Sequence, residues 1–169
     1  MDLYCVIDIG SNTVRLVIYQ LREGVLQPIL NNKVAAGLAS YVDKQNRMTP
    51  HGVRKLVSIL RDFQQILSLL PDCQVFPFAT ASLRNIQNTD YVLQEIENLC
   101  GMRVRVLSGY EEAMLDYRGA TRALDRSSGL MADIGGGSTE LIFFKEGRVQ
   151  AAESLPFGSL NLYRRFCSG

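Results

Sequence analysis

Three apolar stretches open the chain: Leu3–Ile9, Val14–Leu21 and Val25–Ala35. They alternate or run apolar, and breaks at Gly10–Ser11–Asn12 and Glu23–Gly24 predict an antiparallel three-strand meander. At the second break glycine supplies a residue free to take positive φ. The polar run Ser40–Met48 predicts a surface loop. The period then changes. Val53, Leu56, Val57, Leu60, Phe63, Leu67 and Leu70 recur on one face at helical spacing, behind a Thr49–Pro50 start and ahead of a Pro71–Asp72 stop. Val75–Ala79 predicts a short strand. Asn88–Thr89 can cap a second helix carrying Val92, Ile96 and Leu99, with Gly101 as its stop. Met102–Leu107 predicts another strand, and Ser108-x-x-Glu111 is a capping box opening a third helix through Ala113, Met114, Tyr117, Thr121 and Leu124.

The order so far is βββαβαβα, complete by about Arg122, which suggests an α/β fold with a mixed sheet covered by helices. Arg126–Gly129 then reads as a linker. A new meander follows in Leu130–Ile134, Glu140–Lys145 and Val149–Ser154, with a turn at Glu146–Gly147 and a helical piece over Leu160–Phe166. The expected organisation is one complete domain over residues 1–125 and the βββα opening of a second over 126–169.

VIDIGSNTVRLVIY (Val6 to Tyr19) lies over MADIGGGSTELIFF (Met131 to Phe144) without gaps, matching Asp8 to Asp133, Gly10 to Gly135, Thr13 to Ser138 and Leu16 to Leu141. Such an internal repeat implies two similar units, each led by an Asp-containing hairpin turn. The second unit is shorter, so its meander is expected to expose an apolar face, and the sequence reads as part of a longer molecule.

Composition narrows the function classes. With 169 residues, 47% hydrophobic and 21% charged, the chain can bury a core and gives no reason to expect disorder. A net charge of +1 argues against a dedicated nucleic-acid binder, and no apolar run approaches the roughly 18 residues of a membrane span. Asp2 stands where a signal peptide would be basic. Cys5, Cys73, Cys100 and Cys167 form no C-x-x-C pair, so idle thiols in a reducing cytoplasm are the simplest reading. His51, the only histidine, sits in a first helical turn and reads as a surface residue.

The candidate chemistry lies in the repeated turns. Glycine and small hydroxyl residues let backbone N–H groups converge without side chains in the way, a nest suited to phosphate oxygens. Ser138 and Thr139 add hydroxyls. An aspartate beside a phosphate cradle would repel it unless a cation intervenes, so Asp8 and Asp133 suggest Mg²⁺ or Mn²⁺ held directly or through water. A merely flexible hairpin is the plain alternative, which the second copy weighs against.

The two hairpins resemble the phosphate-1 and phosphate-2 loops of the actin/Hsp70/sugar-kinase superfamily, whose domains have the actin-like ATPase (ribonuclease H-like) fold. IDIGSNTVRLVI, TASLRNIQN, LSGYEEAMLDYRGA and DIGGGSTELIFF, in that order, are similar to the exopolyphosphatase / guanosine pentaphosphate phosphohydrolase (Ppx/GppA) family. The resemblance implies a Mg²⁺-dependent hydrolase releasing terminal phosphate from polyphosphate or from pppGpp, the stringent-response nucleotide, with an active site between two actin-like domains. It implies a catalytic role for Glu112, the second acid of the EEA motif, and for Glu140. Gly10, Ser11, Asn12, Thr13, Arg84, Gly135, Gly136, Gly137, Ser138 and Thr139 would bind phosphate, with Asp8 and Asp133 at the metal.

Local physics is compatible with these roles and leaves alternatives. Glu111 sits where a capping box needs it, while Glu112 projects about 100° further round the helix. A solvated first-turn acid is the plain reading of Glu112, and an outer-face strand residue that of Glu140. Arg84 suits phosphate geometry or is a surface arginine. Thr80 and Ser82 offer hydroxyls or cap a turn, and Arg15 reads as a surface charge. The family usually has an arginine after Glu-Glu-Ala; here Met114 fits an apolar face, which leaves the substrate preference open. An ATP-binding kinase- or chaperone-like module and a non-catalytic phosphonucleotide sensor remain as alternatives, and so does a homodimer.

Overall fold

The computed structural model describes residues 2–122 and 126–167, within two compact units, Met1–Val106 and Leu107–Gly169. In the first, the elements are β1 (Leu3–Ile9), β2 (Thr13–Arg22), β3 (Val25–Ala35), α1 (Pro50–Leu67), β4 (Cys73–Ala79), α2 (Ala81–Arg84), α3 (Thr89–Cys100) and β5 (Arg105–Val106), with a 3₁₀ turn at Leu38–Tyr41. They build a mixed five-stranded sheet in the order β3-β2-β1-β4-β5, where β1, β4 and β5 are parallel and β1, β2 and β3 antiparallel.

Strand alternation decides which face is buried. Cys5, Ile7 and Ile9 of β1 pair with Ile18, Leu16 and Val14 of β2, and all six are at most 1% exposed. They pack with Val53, Leu56, Leu60 and Phe63 of α1 and Val92 and Ile96 of α3 in one core. Burying each such side chain contributes about 1.5–3 kcal/mol. Two expected details differ. Asn88 gives its side chain not to helix α3 but to both backbone groups of Met48, at 2.9 and 3.0 Å. The strand expected over Met102–Leu107 pairs only at Arg105 and Val106; its ladder with β4 begins after Pro77, which has no N–H to give.

The second unit holds α4 (Gly109–Thr121), β6 (Gly129–Ile134), β7 (Thr139–Lys145), β8 (Arg148–Leu155) and α5 (Ser159–Phe166), with a sheet in the order β6-β7-β8. Helix α4, placed with the first domain by the expected boundary at 125/126, groups with this second unit. It packs on all three strands, with Tyr117 against Phe144 at 5.2 Å between ring centroids. Leu124, expected to extend that helix, lies outside the described residues.

The sequence echo is also an echo of structure. Asp8 pairs with Arg15 across its hairpin, as Asp133 pairs with Glu140. The bulge between Ile18 and Tyr19 recurs between Phe143 and Phe144. Both second turns are Glu-Gly with two positive φ values, 51° and 78° at Glu23–Gly24 and 52° and 71° at Glu146–Gly147, the primed geometry that matches strand twist.

Candidate functional site

Each glycine turn is closed by the same bond: Gly10 N–H donates to Thr13 O at 2.9 Å, and Gly135 N–H to Ser138 O at 3.0 Å. Positive φ among the described glycines occurs at Gly24, Gly37, Gly101 and Gly147, so backbone conformation is not what requires Gly10 or Gly135. Space is. A Cβ at Gly10 would stand 3.1 Å from Thr13 O, and one at Gly135 3.2 Å from Ser138 O.

The carbonyls of both turns are held by the segment after the third strand. In the first unit, Ser11 O accepts from Ala39 N–H at 2.9 Å and Asn12 O from Gly37 N–H at 2.8 Å. In the second, Gly135 O accepts from Ser159 N–H at 2.9 Å and Gly136 O from Leu160 N–H at 3.1 Å, while Gly137 O accepts from Asn161 Nδ2 at 3.2 Å. The described peptide bonds are all trans, and a planar trans peptide points its C=O and its N–H in opposite directions. The N–H groups of Asn12 and Thr13, and of Gly136, Gly137 and Ser138, therefore point away from the segments that hold the carbonyls. Each of the two turns thus directs successive backbone donors away from the segment that holds it, as an anion nest requires.

The close approach on the second turn needs Gly158. A side chain there would collide with Gly135 O and stand 2.7 Å from Gly136 C and 2.8 Å from Gly137 N. Thr139, expected to offer its hydroxyl to phosphate, donates it instead to Phe157 O at 2.7 Å, which strengthens the same docking. Ser82 likewise spends its hydroxyl on Ile9 O at the end of β1, tying α2 beside the first turn. Arg84 is the last residue of that α2, half-buried, in the segment that follows β4 where β4 runs beside β1.

On the second sheet, Asp133, Glu140 and Ser154 stand in register across β6, β7 and β8, so their side chains share a face. Glu140 is 2% exposed and accepts from Ser154 Oγ at 2.7 Å, so it is not an outer-face residue; Asp133 is exposed. Helix α4 covers this face. Gly109 lies so close to β8 that a Cβ would collide with Ser154 Cβ and stand 2.7 Å from its Oγ. The stripe Gly109, Ala113, Tyr117 meets the sheet, and half-buried Glu112 flanks it at i+3 from Gly109. The capping box is present: Glu111 N–H donates to Ser108 Oγ at 3.2 Å and Ser108 N–H to Glu111 Oε2 at 2.8 Å. Met114 is half-buried, and Arg15 is exposed with its Nε on Asn31 Oδ1 at 2.8 Å.

The candidate residues thus divide between the units: Asp8, Gly10–Thr13 and Arg84 in the first, Glu112, Asp133 and Gly135–Glu140 in the second. Among the described residues no three His, Cys, Asp or Glu side chains cluster to hold a metal, and no helix is long and apolar enough to cross a membrane. A groove of about 490 Å³ lined by Arg54, Arg61, Asp62, Tyr91 and Glu95 of α1 and α3 includes none of the candidate residues. Ser154, Asn161, Gly109 and Gly158 escaped the sequence reading. Glycine before a helix with asparagine three residues on was the only signal for two of them.

Residues 17–169 match the family model for the Ppx/GppA phosphatase family. The chain belongs to the Ppx/GppA phosphatase family. Among solved structures it is similar to an exopolyphosphatase from Cytophaga hutchinsonii, at 27% identity and TM-score 0.91, over 98% of this chain and 54% of that one. It is also similar to the Aquifex aeolicus Ppx/GppA family member, at 28% identity and TM-score 0.82, over 98% of this chain and 54% of that one. The chain therefore spans about half the length of these relatives. The ethanolamine utilization protein EutJ from Carboxydothermus hydrogenoformans, at 16% identity and TM-score 0.55 over 99% of this chain and 57% of that one, shares the fold. The fold is the α/β actin-like ATPase (ribonuclease H-like) architecture.

Proposed function

We propose that this family member serves a phosphoanhydride hydrolase that releases the terminal phosphate of inorganic polyphosphate or of guanosine pentaphosphate. The observation that carries the reading is the pair of turns whose carbonyls are held from behind, so that their N–H groups are presented to an anion. Exopolyphosphatase relatives support the same substrate class.

In this reading the first turn binds phosphate oxygens through Asn12 and Thr13 and the second through Gly136, Gly137 and Ser138, with Gly10 and Gly135 shaping the turns and Arg84 as a further phosphate ligand through its planar guanidinium. Glu112 accepts a proton from the attacking water as the water oxygen bonds to the terminal phosphorus. The bridging P–O bond breaks, and the shortened chain leaves with the electron pair. Asp133 and Glu140, neighbouring carboxylates on one face of the second sheet, would offer the oxygen ligands that Mg²⁺ or Mn²⁺ takes, and Asp8 holds the matching position beside the first turn. Mg²⁺ is commonly held by one or two carboxylates plus substrate oxygens. When bound, it would neutralise phosphate charge. The four free thiols fit a reducing cytoplasm.

The test is phosphate release from polyphosphate and from pppGpp with Mg²⁺, measured on this chain and on a longer form carrying the rest of the relatives' length, each with and without Glu112→Ala. The expected loss in the longer form is about 10²–10⁴-fold, the usual value of a positioned base. Turnover unchanged by Glu112→Ala would overturn the role of Glu112. Turnover of ATP alone would favour an ATP-binding module instead.

A further inference from the structure

Gly135 O and Gly136 O are held by main-chain N–H groups, which almost any residue at 159 and 160 supplies, and the Ser159 hydroxyl at 3.1 Å only adds to the bond already made to Gly135 O. Gly137 O is different, because a side chain holds it. In the first unit the matching carbonyl, Asn12 O, is held by the main-chain N–H of Gly37. The second turn alone thus stakes one of its peptides on the identity of a single residue.

We infer that Asn161 is the positioning residue of the second turn, orienting the Gly137–Ser138 peptide so that Ser138 N–H faces a bound phosphate; this rests on the phosphate reading above. Both ends of its amide are engaged. Oδ1 accepts from Gly158 N–H at 2.7 Å, and the two Nδ2 hydrogens go to Gly137 O and Pro156 O, each at 3.2 Å. One acceptor facing an N–H and two donors facing carbonyls fix the orientation of the amide. The same side chain thus joins three points of backbone: the approach to α5 at Pro156, the helix start at Gly158 and the glycine turn at Gly137. The rigid cradle this makes needs no reorganisation when an anion arrives, which is how preorganisation raises affinity.

Two variants separate positioning from helix capping. Asn161→Ala loses every bond. Asn161→Asp keeps the acceptor for Gly158 N–H, and with it the helix start, but has no hydrogen to give Gly137 O. The readouts are backbone ¹⁵N order parameters at residues 136–138 by NMR without ligand, thermal unfolding, and calorimetric titration with Mg²⁺-tripolyphosphate. The expected result is order parameters that fall from the rigid range, about 0.85, toward the flexible range below about 0.6 in both variants, a smaller drop in melting temperature for Asn161→Asp than for Asn161→Ala, and at least tenfold weaker tripolyphosphate binding by Asn161→Ala. Order parameters in Asn161→Asp that stay at the wild-type values overturn the inference, because the side chain then serves only the helix. Equal affinity of wild type and Asn161→Ala overturns it too. If the wild type binds no tripolyphosphate, the phosphate reading falls, and the order parameters of the two variants still decide whether Asn161 orients the turn. If Asn161→Ala does not fold, Asn161→Asp decides by its order parameters.

Discussion

A buried carboxylate is costly unless it is hydrogen-bonded or paired, and Glu140, 2% exposed, has the Ser154 hydroxyl on Oε1 at 2.7 Å. Asp133 stands directly across the strand pair from it, and like charges so placed repel unless a cation bridges them. The sequence also allowed Glu140 to be an outer-face residue, and its burial in the folded sheet removes that reading. Cys5 makes a different residue-scale point. Burial first, and Cys73 second, push its thiol from 9.0 up to about 12, so it stays protonated and unreactive in the folded state. The unfolded chain loses that proton from about pH 9, so the folded state holds more protons between pH 9 and about 12, and stability falls as pH rises through that window. The expected outcome is that Cys5→Val removes part of the alkaline loss of stability, measured by denaturant unfolding at stepped pH. An unchanged alkaline slope would contradict it.

Among the elements, those announced by local chemistry formed as expected. Thr49 accepts from Gly52 N–H at 3.3 Å with Pro50 at the first helical position, and Ser108–Glu111 closes its box at both ends. These bonds join residues three apart, so spacing alone specifies them. Asn88 failed as a side-chain cap because Met48, 40 residues away, offered its amide both a donor and an acceptor in the core. No local pattern carries that competition. Strand β5 shrank for a similar reason, since its length depends on the partner strand. Ser108→Ala removes the cap acceptor and the hydroxyl donor to Glu111 Oε2 while keeping the Ser108 N–H bond to that oxygen, so a loss of about 1 kcal/mol is expected, read as a lower urea midpoint with an unchanged slope. A midpoint that does not move would mean that α4 is held by its packing on the sheet alone.

For the molecule as a whole, the repeat explains an exposed surface. In the first unit, Cys5, Ile9 and Ile18 are fully buried beneath helices. Their counterparts in the echo, Leu130, Ile134 and Phe143, are 70%, 66% and 47% exposed. Contiguous apolar area of this kind is uncommon on a soluble monomer. The chain is expected to bind the dye ANS, and Leu130→Lys with Phe143→Ser to reduce that binding while leaving the melting temperature within a few degrees. Those side chains bury little that could be lost on substitution. Dye binding that survives both changes would locate the apolar surface elsewhere.

The sequence by itself determined the order of the longer elements, the two matched hairpins, the caps of α1 and α4, the glycine turns between strands and the family, because each of these depends on spacing between near neighbours or on an ungapped repeat. The tertiary structure decided the rest: that α4 lies on the second sheet, that Glu140 is buried against Ser154, and that the turn carbonyls are held by residues more than twenty positions further along. Those facts arise from contacts between distant segments, whose partners no local periodicity can name. Gly10 and Gly135 belong to both. Their place in the repeat is visible in the chain, but the tight space beside Thr13 O and Ser138 O exists only once the backbone has folded back on itself.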